Sequence, residues 1–109
     1  MAKVGTMQWT GASGREYPFD IYEIGSRFQA VGAVYIFSKV APGGEGGGHT
    51  PIGVGQTESL AERFDRHHLN TCAMEHGANR ICVHPEEDDD ARLAIERDLR
   101  LKWRAPCNG

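Results

Sequence analysis

The sequence contains no apolar run near the length of about 20 residues that a membrane-spanning helix requires. Its N-terminal segment, MAKVGTMQWTGASG, also lacks the apolar stretch of a secretory signal peptide. These absences argue against a helical membrane anchor and against export. We therefore expect a cytoplasmic protein that does not insert into a membrane.

Cysteine is scarce, with three residues in a chain of 109. The number is odd, and the spacing of Cys72, Cys82 and Cys107 does not resemble the disulfide framework of a small secreted domain. We therefore expect the thiols to be reduced.

An excess of positive charge is missing as well, because the formal net charge is -3 at pH 7. The whole molecule thus does not attract nucleic acid, and any such binding has to rest on a local basic patch. The remaining composition, 39% hydrophobic and 25% charged, is typical of one globular domain over residues 1–109. A local basic patch is present in the C-terminal segment, which carries Arg92, Arg97, Arg100, Lys102 and Arg104.

Strand patterns occur in the first half of the chain. YPFDIYEI alternates apolar and less apolar residues, and MQWT is its expected partner across GASG, so residues 1–32 are predicted to form an N-terminal hairpin extension. AVYIFS (33–38) is denser in apolar and β-branched residues and is predicted to be a central strand covered on both faces. It opens the core region, 33–109.

A segment rich in glycine follows, and residues 41–51 are predicted to be a flexible loop. After it, IGVGQ is predicted to be a short strand, and NRICVHP another that stops at Pro85. These strands give a small antiparallel or mixed sheet.

Three helices are predicted to flank that sheet, which makes the fold class α/β in the broad sense, or α+β. Thr57 or Ser59 can cap the first, Ser59 together with Glu62 in a capping box, and this helix ends near Asn70. TCAMEHGA is a short second helix closed by Gly77. The third follows the acidic run EEDDD and extends over about 91–103, because negative charge is favourable at a helix N-terminus.

The first helix carries Arg63 and His67 four residues apart, so both lie on one face and can reach one ligand. The same pattern also fits a solvated helix face. The turn before the helix favours a ligand, because Gly55 permits close approach of the backbone and the helix N-terminus after Thr57 suits an anion such as phosphate.

Glu96 stands between Leu93 and Leu99 and is expected along, or at the edge of, the apolar stripe of the last helix. A carboxylate there is costly unless it is paired or bound to a cation. A buried pair with Arg63 or Arg100 is one interpretation. A ligand for a hard cation such as Mg²⁺ is the other.

Tyr35 lies inside the hydrophobic strand AVYIF. Packing alone explains a tyrosine in a strand. A buried hydroxyl nevertheless needs a partner, and beside a metal-bound water it can relay or accept a proton.

Taken in order, AVYIF, VGQTESLAERFDRHH, Glu96 and PCN resemble the GIY-YIG nuclease domain, named for two strand motifs that each contribute a tyrosine. The match covers about two-thirds of the chain. Its most specific part is Gly-x-Thr followed at fixed spacing by Leu, Arg and His. Glu96 with Asn108 in a Pro-x-Asn ending adds support. The hairpin WTGASGREYPFDIYEI is similar to the opening of small single-domain members.

The resemblance implies a GIY-YIG endonuclease-like fold and hydrolysis of phosphodiester bonds in DNA with one divalent ion, Mg²⁺ or Mn²⁺. It implies that Glu96 is the metal ligand and that Arg63 clamps the scissile phosphate. The implied catalytic residues are Tyr35, Arg63, His67, Glu96 and Asn108. The residues expected to bind the substrate are Gly55 and Thr57 at the turn and Arg100, Lys102 and Arg104 in the basic patch.

The chain departs from the family pattern at Gly53, where the second motif has its tyrosine. One hypothesis is that His49 or Thr50 folds back from the loop to fill the gap. The alternative is a catalytically inactive domain that binds nucleic acid on the same fold. No reader domain is apparent, so we expect targeting to involve a protein partner if it is specific.

A structural zinc site is a third possibility. Thiolate and imidazole ligands suit that ion, although no paired Cys-x-x-Cys element is present. The candidate ligands are His67, His68, Cys72, Cys82 and His84.

Overall fold

The computed structural model describes residues 3–41, 48–64 and 71–108. Within them, five strands form one sheet in which every neighbouring pair is antiparallel. The strands are β1 (Lys3–Thr10), β2 (Glu16–Glu23), β3 (Ala33–Lys39), β4 (Thr50–Thr57) and β5 (Arg80–Pro85). Their order, β1-β2-β5-β3-β4, leaves β4 at one edge.

The helices are α1 (Leu60–Arg63), α2 (Thr71–Glu75) and α3 (Asp89–Lys102). Side chains of α1 and α2 pack with one face of the sheet, and side chains of α3 pack with the other. An α+β fold with an antiparallel sheet flanked by helices is thus confirmed. None of the described helices is long and apolar enough to cross a membrane.

The N-terminal hairpin is present and is longer than expected, because β1 extends over eight residues rather than the four of MQWT. Its turn contains Gly14 at φ +89°, a conformation that favours glycine. The hairpin is part of the main sheet, since β2 pairs with β5 from Asp20 to Glu23.

Strand β3 is buried on both faces, as its dense apolar sequence predicts, with only Lys39 exposed. Alternation divides its side chains: Val34 and Ile36 face α3, whereas Tyr35 and Phe37 face α1 and α2. This division decides which predicted site residues can meet.

The glycine-rich segment separates β3 from β4. Residues 42–47 of the predicted loop 41–51 lie outside the described part of the chain. The expected C-terminal end of the loop is wrong, because Thr50 and Pro51 already belong to β4 and pair with Lys39 and Ser38 of β3.

Helix α1 begins as predicted, with the Ser59 side chain accepting a hydrogen bond from the Glu62 backbone N–H. It ends at Arg63. Residues 65–70, where its predicted end near Asn70 falls, lie outside the described residues. The predicted second helix is α2, and Gly77 after it has φ +79°.

Helix α3 is capped by Asp88, whose side chain accepts from the Ala91 N–H, with two further aspartates in its first turn. Its buried side is only partly the one expected. Leu99 is fully buried, but Leu93 is 50% exposed, and buried Arg92 lies on the inward face instead.

The expectation of reduced cysteines is wrong for two of the three residues. Cys72 after the start of α2 and Cys107 near the C-terminus form a disulfide. Their sequence separation of 35 residues gave no local pairing signal. Cys82 is free and buried, and burial raises the pKa of its thiol.

Candidate active-site cleft

A cleft of about 230 Å³ lies along the edge strand β4. Side chains from both faces of the sheet line it. Strand β3 and helix α1 contribute one wall, and α3 contributes the other. Because no strand among the described residues pairs with the outer side of β4, side chains from opposite faces can meet around this edge. The lining residues are Tyr35, Phe37, Gly53, Val54, Gly55, Gln56, Arg63, Glu96, Arg100 and Cys107.

Tyr35 and Arg63 form a direct pair in this cleft. The Arg63 Nε–H donates to the Tyr35 hydroxyl oxygen at 3.0 Å, and Tyr35 is only 8% exposed. The guanidinium carbon also lies 5.2 Å from the centroid of the Tyr35 ring and 5.1 Å from that of Phe64. Contacts between a cation and aromatic faces are attractive, so the aromatic side chains fix the position of the guanidinium.

Glu96 enters the cleft from α3 with its side chain 17% exposed. Burial raises the pKa of this carboxyl, and the neighbouring Arg100 opposes the shift. The Arg100 Nη1 lies 3.7 Å from a Glu96 carboxylate oxygen, with its own side chain 31% exposed. Of the two pairings predicted for Glu96, the structure therefore contains the one with Arg100.

Gly55 is the point at which β4 passes closest to Tyr35. A Cβ atom at this position would lie 2.5 Å from the Tyr35 hydroxyl oxygen and 2.6 Å from its Cζ. These distances are far below ordinary van der Waals contact. Glycine is therefore required here by the tyrosine, which is a different role from the predicted contact with a phosphate.

Gly53 is covered by the C-terminal segment. A Cβ atom there would lie 3.1 Å from both the Cβ and the carbonyl oxygen of Cys107. A tyrosine at position 53, as the second family motif requires, would need Cys107 to move. The C-terminal segment at Cys107 thus occupies the space that a side chain at position 53 would enter.

Asn108 holds that C-terminal segment on the sheet edge. Its Oδ1 accepts from the Val54 N–H at 2.7 Å, and its Nδ2 donates to the Trp103 carbonyl at 2.8 Å. The Cys107 N–H donates to the Ile52 carbonyl at 2.8 Å. Asn108 therefore positions the segment beside the cleft through its amide.

The predicted substrate-binding residues do not all lie in the cleft. The Thr57 hydroxyl is used in the turn before α1, where it donates to the Ser59 carbonyl and accepts from the Ser59 N–H, both at 3.1 Å. Arg100 and Arg104 line an adjoining cavity of about 360 Å³. The exposed Lys102 lies over the Trp103 ring, with Nζ 5.7 Å from its centroid.

His67 lies outside the described residues, so the predicted pairing of Arg63 with His67 is not addressed by the structure. The hypothesis that His49 fills the missing tyrosine position is wrong. Its Nδ1 lies 2.9 Å from the Ser38 Oγ, and its ring packs against Trp9 on the face opposite Tyr35. Thr50, the other candidate, is exposed at the start of β4.

The predicted zinc ligands do not come together among the described members of that set. Cys82 lies buried in the core that faces α3, whereas Cys72 is bonded to Cys107. The His84 Nδ1 lies 2.7 Å from the Pro18 carbonyl oxygen in the hairpin. His67 and His68 are outside the described residues.

Sequence reasoning missed four cleft residues, Phe37, Val54, Gln56 and Cys107. Phe37 has the same orientation as Tyr35 two residues earlier, so strand alternation would have found it. Gln56 is held in position by α3, because its Oε1 accepts a hydrogen bond from the Arg92 Nε–H at 2.7 Å. Cys107 carried no signal beyond its place in the Pro-x-Asn ending.

The cleft thus brings together a tyrosine, an arginine and a half-buried carboxylate at the edge of an antiparallel sheet. Comparisons of the chain with protein-family models, with curated proteins and with solved structures found no match.

Proposed function

We propose that the chain is a divalent-metal-dependent nuclease of the GIY-YIG type that hydrolyses phosphodiester bonds in DNA. The observation that carries the proposal is the convergence of Tyr35, Arg63 and Glu96 in one cleft. These residues come from three different elements and are separated by up to 61 positions in the sequence, 35 to 96. The resemblance selected the same three as catalytic residues from their order along the chain.

Arg63 binds the scissile phosphate in this proposal. A guanidinium matches phosphate oxygens in a planar, two-pronged arrangement. The hydrogen bond from its Nε to Tyr35 orients the group before substrate arrives, which lowers the cost of ordering it during the reaction.

Glu96 fits the role of a metal ligand. A hard ion such as Mg²⁺ or Mn²⁺ is commonly held by one or two carboxylates together with water and substrate phosphate. Burial works against the ionised carboxylate, and a bound cation would compensate for that cost. When bound, the ion polarises a phosphoryl oxygen and stabilises charge on the leaving oxygen.

Tyr35 is the candidate for accepting a proton from the attacking water, because its hydroxyl lines the cleft beside Arg63. Asn108 is a positioning residue that holds the C-terminal segment. Arg100 and Arg104 extend a basic surface from the cleft into the adjoining cavity and suit the neighbouring phosphates of a strand.

The test is nicking of supercoiled plasmid with Mg²⁺ or Mn²⁺ at low salt. Glu96→Gln and Arg63→Lys should each lower the rate by about 100-fold or more, since transition-state charge stabilisation is lost. Glu23→Gln, at an exposed carboxylate at the end of β2, is the matched control and should retain full activity. The proposal fails if the wild-type rate survives in Glu96→Gln.

Stability provides a second control for Glu96→Gln. The folded pKa of Glu96 is raised, so its contribution to stability is present at low pH and is lost as pH rises through the folded pKa. Glu96→Gln, which removes the charge, should therefore be at least as stable as the wild type near neutral pH. A variant that is inactive and fully folded excludes unfolding as the cause.

The second candidate is a domain that binds nucleic acid without cleaving it. It is favoured by Gly53, because Cys107 covers the position where the family has its second tyrosine. Fluorescence anisotropy with a labelled DNA duplex separates the two functions. Binding that Arg63→Ala weakens, without any nicking by the wild type, would support this candidate, and absence of both would refute both.

A further inference from the structure

A second cluster of metal-binding side chains lies outside the residues assigned to hydrolysis. Cys72 and His76 stand four residues apart at α2, and Cys107 reaches them from the C-terminal segment. The His76 Nδ1 lies 3.8 Å from the Cys72 sulfur and 3.7 Å from the Cys107 sulfur. All three ligand atoms lie within 4.8 Å of one another.

This geometry resembles the ligand set of a tetrahedral zinc ion. With Zn–S bonds of about 2.3 Å and Zn–N bonds of about 2.0 Å, a sulfur and a nitrogen ligand are separated by about 3.5 Å. The two nitrogen-to-sulfur distances are within about 0.3 Å of that value. His76 is exposed and both cysteines are half-buried, so an ion can reach the cluster from solvent.

We propose that the reduced protein binds one Zn²⁺ through Cys72, His76 and Cys107, and that the disulfide is the oxidised state of the same site. Three protein ligands leave the fourth position for water. In the disulfide state the His76 Nδ1 also lies 3.0 Å from the Cys72 carbonyl oxygen. In the zinc-bound state the His76 Nδ1 binds the ion instead of the Cys72 carbonyl oxygen.

Conversion of the zinc-bound state to the disulfide state is a two-electron oxidation, and a small disulfide can be the oxidant. The two zinc-bound thiolates give up two electrons and form the Cys72–Cys107 bond, and the ion leaves. The oxidant, a disulfide of the glutathione class, accepts the two electrons, and its S–S bond breaks to give two thiols after protonation from water. A dithiol or glutathione reverses the reaction.

Both states link α2 to the segment that covers Gly53. The Cys107 backbone also pairs with Ile52 of β4, so either cross-link holds this segment at the rim of the cleft. Reduced protein without metal lacks the link. The protein therefore has three states, of which two are cross-linked and one lacks the cross-link.

The experiment is a zinc titration of protein reduced with a phosphine, followed by competition with a chromophoric chelator. Wild type and Cys82→Ser should each bind one ion per chain, because Cys82 lies in the core on the other face. His76→Ala should bind more weakly by about 100-fold or more, since even loss of a residue that only orients a ligand lowers affinity about 10–100-fold. Co²⁺ should give a sulfur-to-metal charge-transfer band in the wild type only when it is reduced.

Oxidised glutathione should release the zinc and restore the disulfide, as measured by thiol titration. His76→Ala should still form the disulfide, which shows that the fold is intact. Glu96→Gln should retain zinc binding, so failure of the nuclease proposal and failure of this one are distinguishable. Equal zinc affinity in wild type and His76→Ala, or no zinc binding by the reduced wild type, would overturn the proposal.

Discussion

Gly55→Ala tests the close approach of β4 to Tyr35. The added Cβ atom would lie 2.5 Å from the tyrosine hydroxyl oxygen and 2.6 Å from Cζ, so the ring has to move. It has little room, because its centroid lies 5.0 Å from that of Phe64 and 5.8 Å from that of Phe37. Displacement also breaks the hydrogen bond from Arg63.

The expected loss follows from three terms. Overpacking of a filled core costs about 1–3 kcal/mol. Loss of the hydrogen bond to a charged group adds about 1.5 kcal/mol or less at this half-buried position. Alanine is less flexible than glycine, so the unfolded chain has less conformational entropy. This effect stabilises the folded protein by about 0.4–1 kcal/mol. The three ranges add to a destabilisation of about 0–4 kcal/mol, and the middle value of about 2 kcal/mol corresponds to a Tm lower by about 8 °C.

Urea unfolding of Gly55→Ala beside Gly53→Ala and Gly5→Ala measures this difference. A Cβ atom at position 5 would lie 3.9 Å from its nearest neighbour, which is ordinary contact, so Gly5→Ala should be neutral or slightly stabilising. Gly53→Ala, with contacts at 3.1 Å, should fall between the other two. If Gly55→Ala is as stable as Gly5→Ala, the packing argument is wrong.

Three further outcomes follow from named contacts. Asn108→Ala removes two hydrogen bonds that hold the C-terminal segment and should cost about 1–2 kcal/mol in urea unfolding. Hydrogen bonds from Ser13 and from Tyr17 lower the pKa of Asp98, so its stabilisation is present above its ordinary value of 3.8 and is lost as pH falls through the folded pKa. Acid unfolding should therefore show the advantage of wild type over Asp98→Asn shrinking below about pH 4. Arg92→Met leaves the half-buried acceptors on Gln56 and Glu86 without their donor, which is only 3% exposed, and should cost about 2 kcal/mol, measured by thermal unfolding.

Local sequence patterns predicted the elements of the fold well. Alternation identified β2, the dense apolar run identified β3, and Ser59 and the acidic run before α3 marked the helix starts. These signals act over a few residues, within one element. The sheet order was beyond them, because the pairing of β5 with both β2 and β3 joins segments that are distant in sequence.

The helix face toward the core was harder to predict than the helix itself. Leu93 was assigned to the buried stripe because leucine is apolar, but Arg92 takes the inward position. Its guanidinium donates to Gln56 of β4, to the nearby Glu86 carbonyl and to Asp89 on the same helix, and these contacts compensate for burying a charge. The Asp89 pair follows from helical spacing, but the contact with Gln56 cannot be predicted until β4 is placed beside α3.

The candidate site shows the same limit. Order along the chain was enough to select Tyr35, Arg63 and Glu96, which line one cleft. It could not predict that the Gly55 backbone makes room for the tyrosine, because that requirement arises from the register that places position 55 opposite position 35. It also assigned Asn108 to chemistry, whereas the amide is used to fix the backbone.

Two departures from expectation have one structural origin. The sequence lacks a tyrosine at position 53, and it contains a disulfide where reduced thiols were expected. Both follow from the placement of Cys107 against β4, because the residue that bonds to Cys72 also fills the space a side chain at position 53 would need. A side chain at position 53 would therefore require the C-terminal segment to shift by a few tenths of an ångström at Cys107. With that segment in place, Tyr35 is the only tyrosine among the described residues that line the cleft, so the proposed hydrolysis depends on its hydroxyl alone.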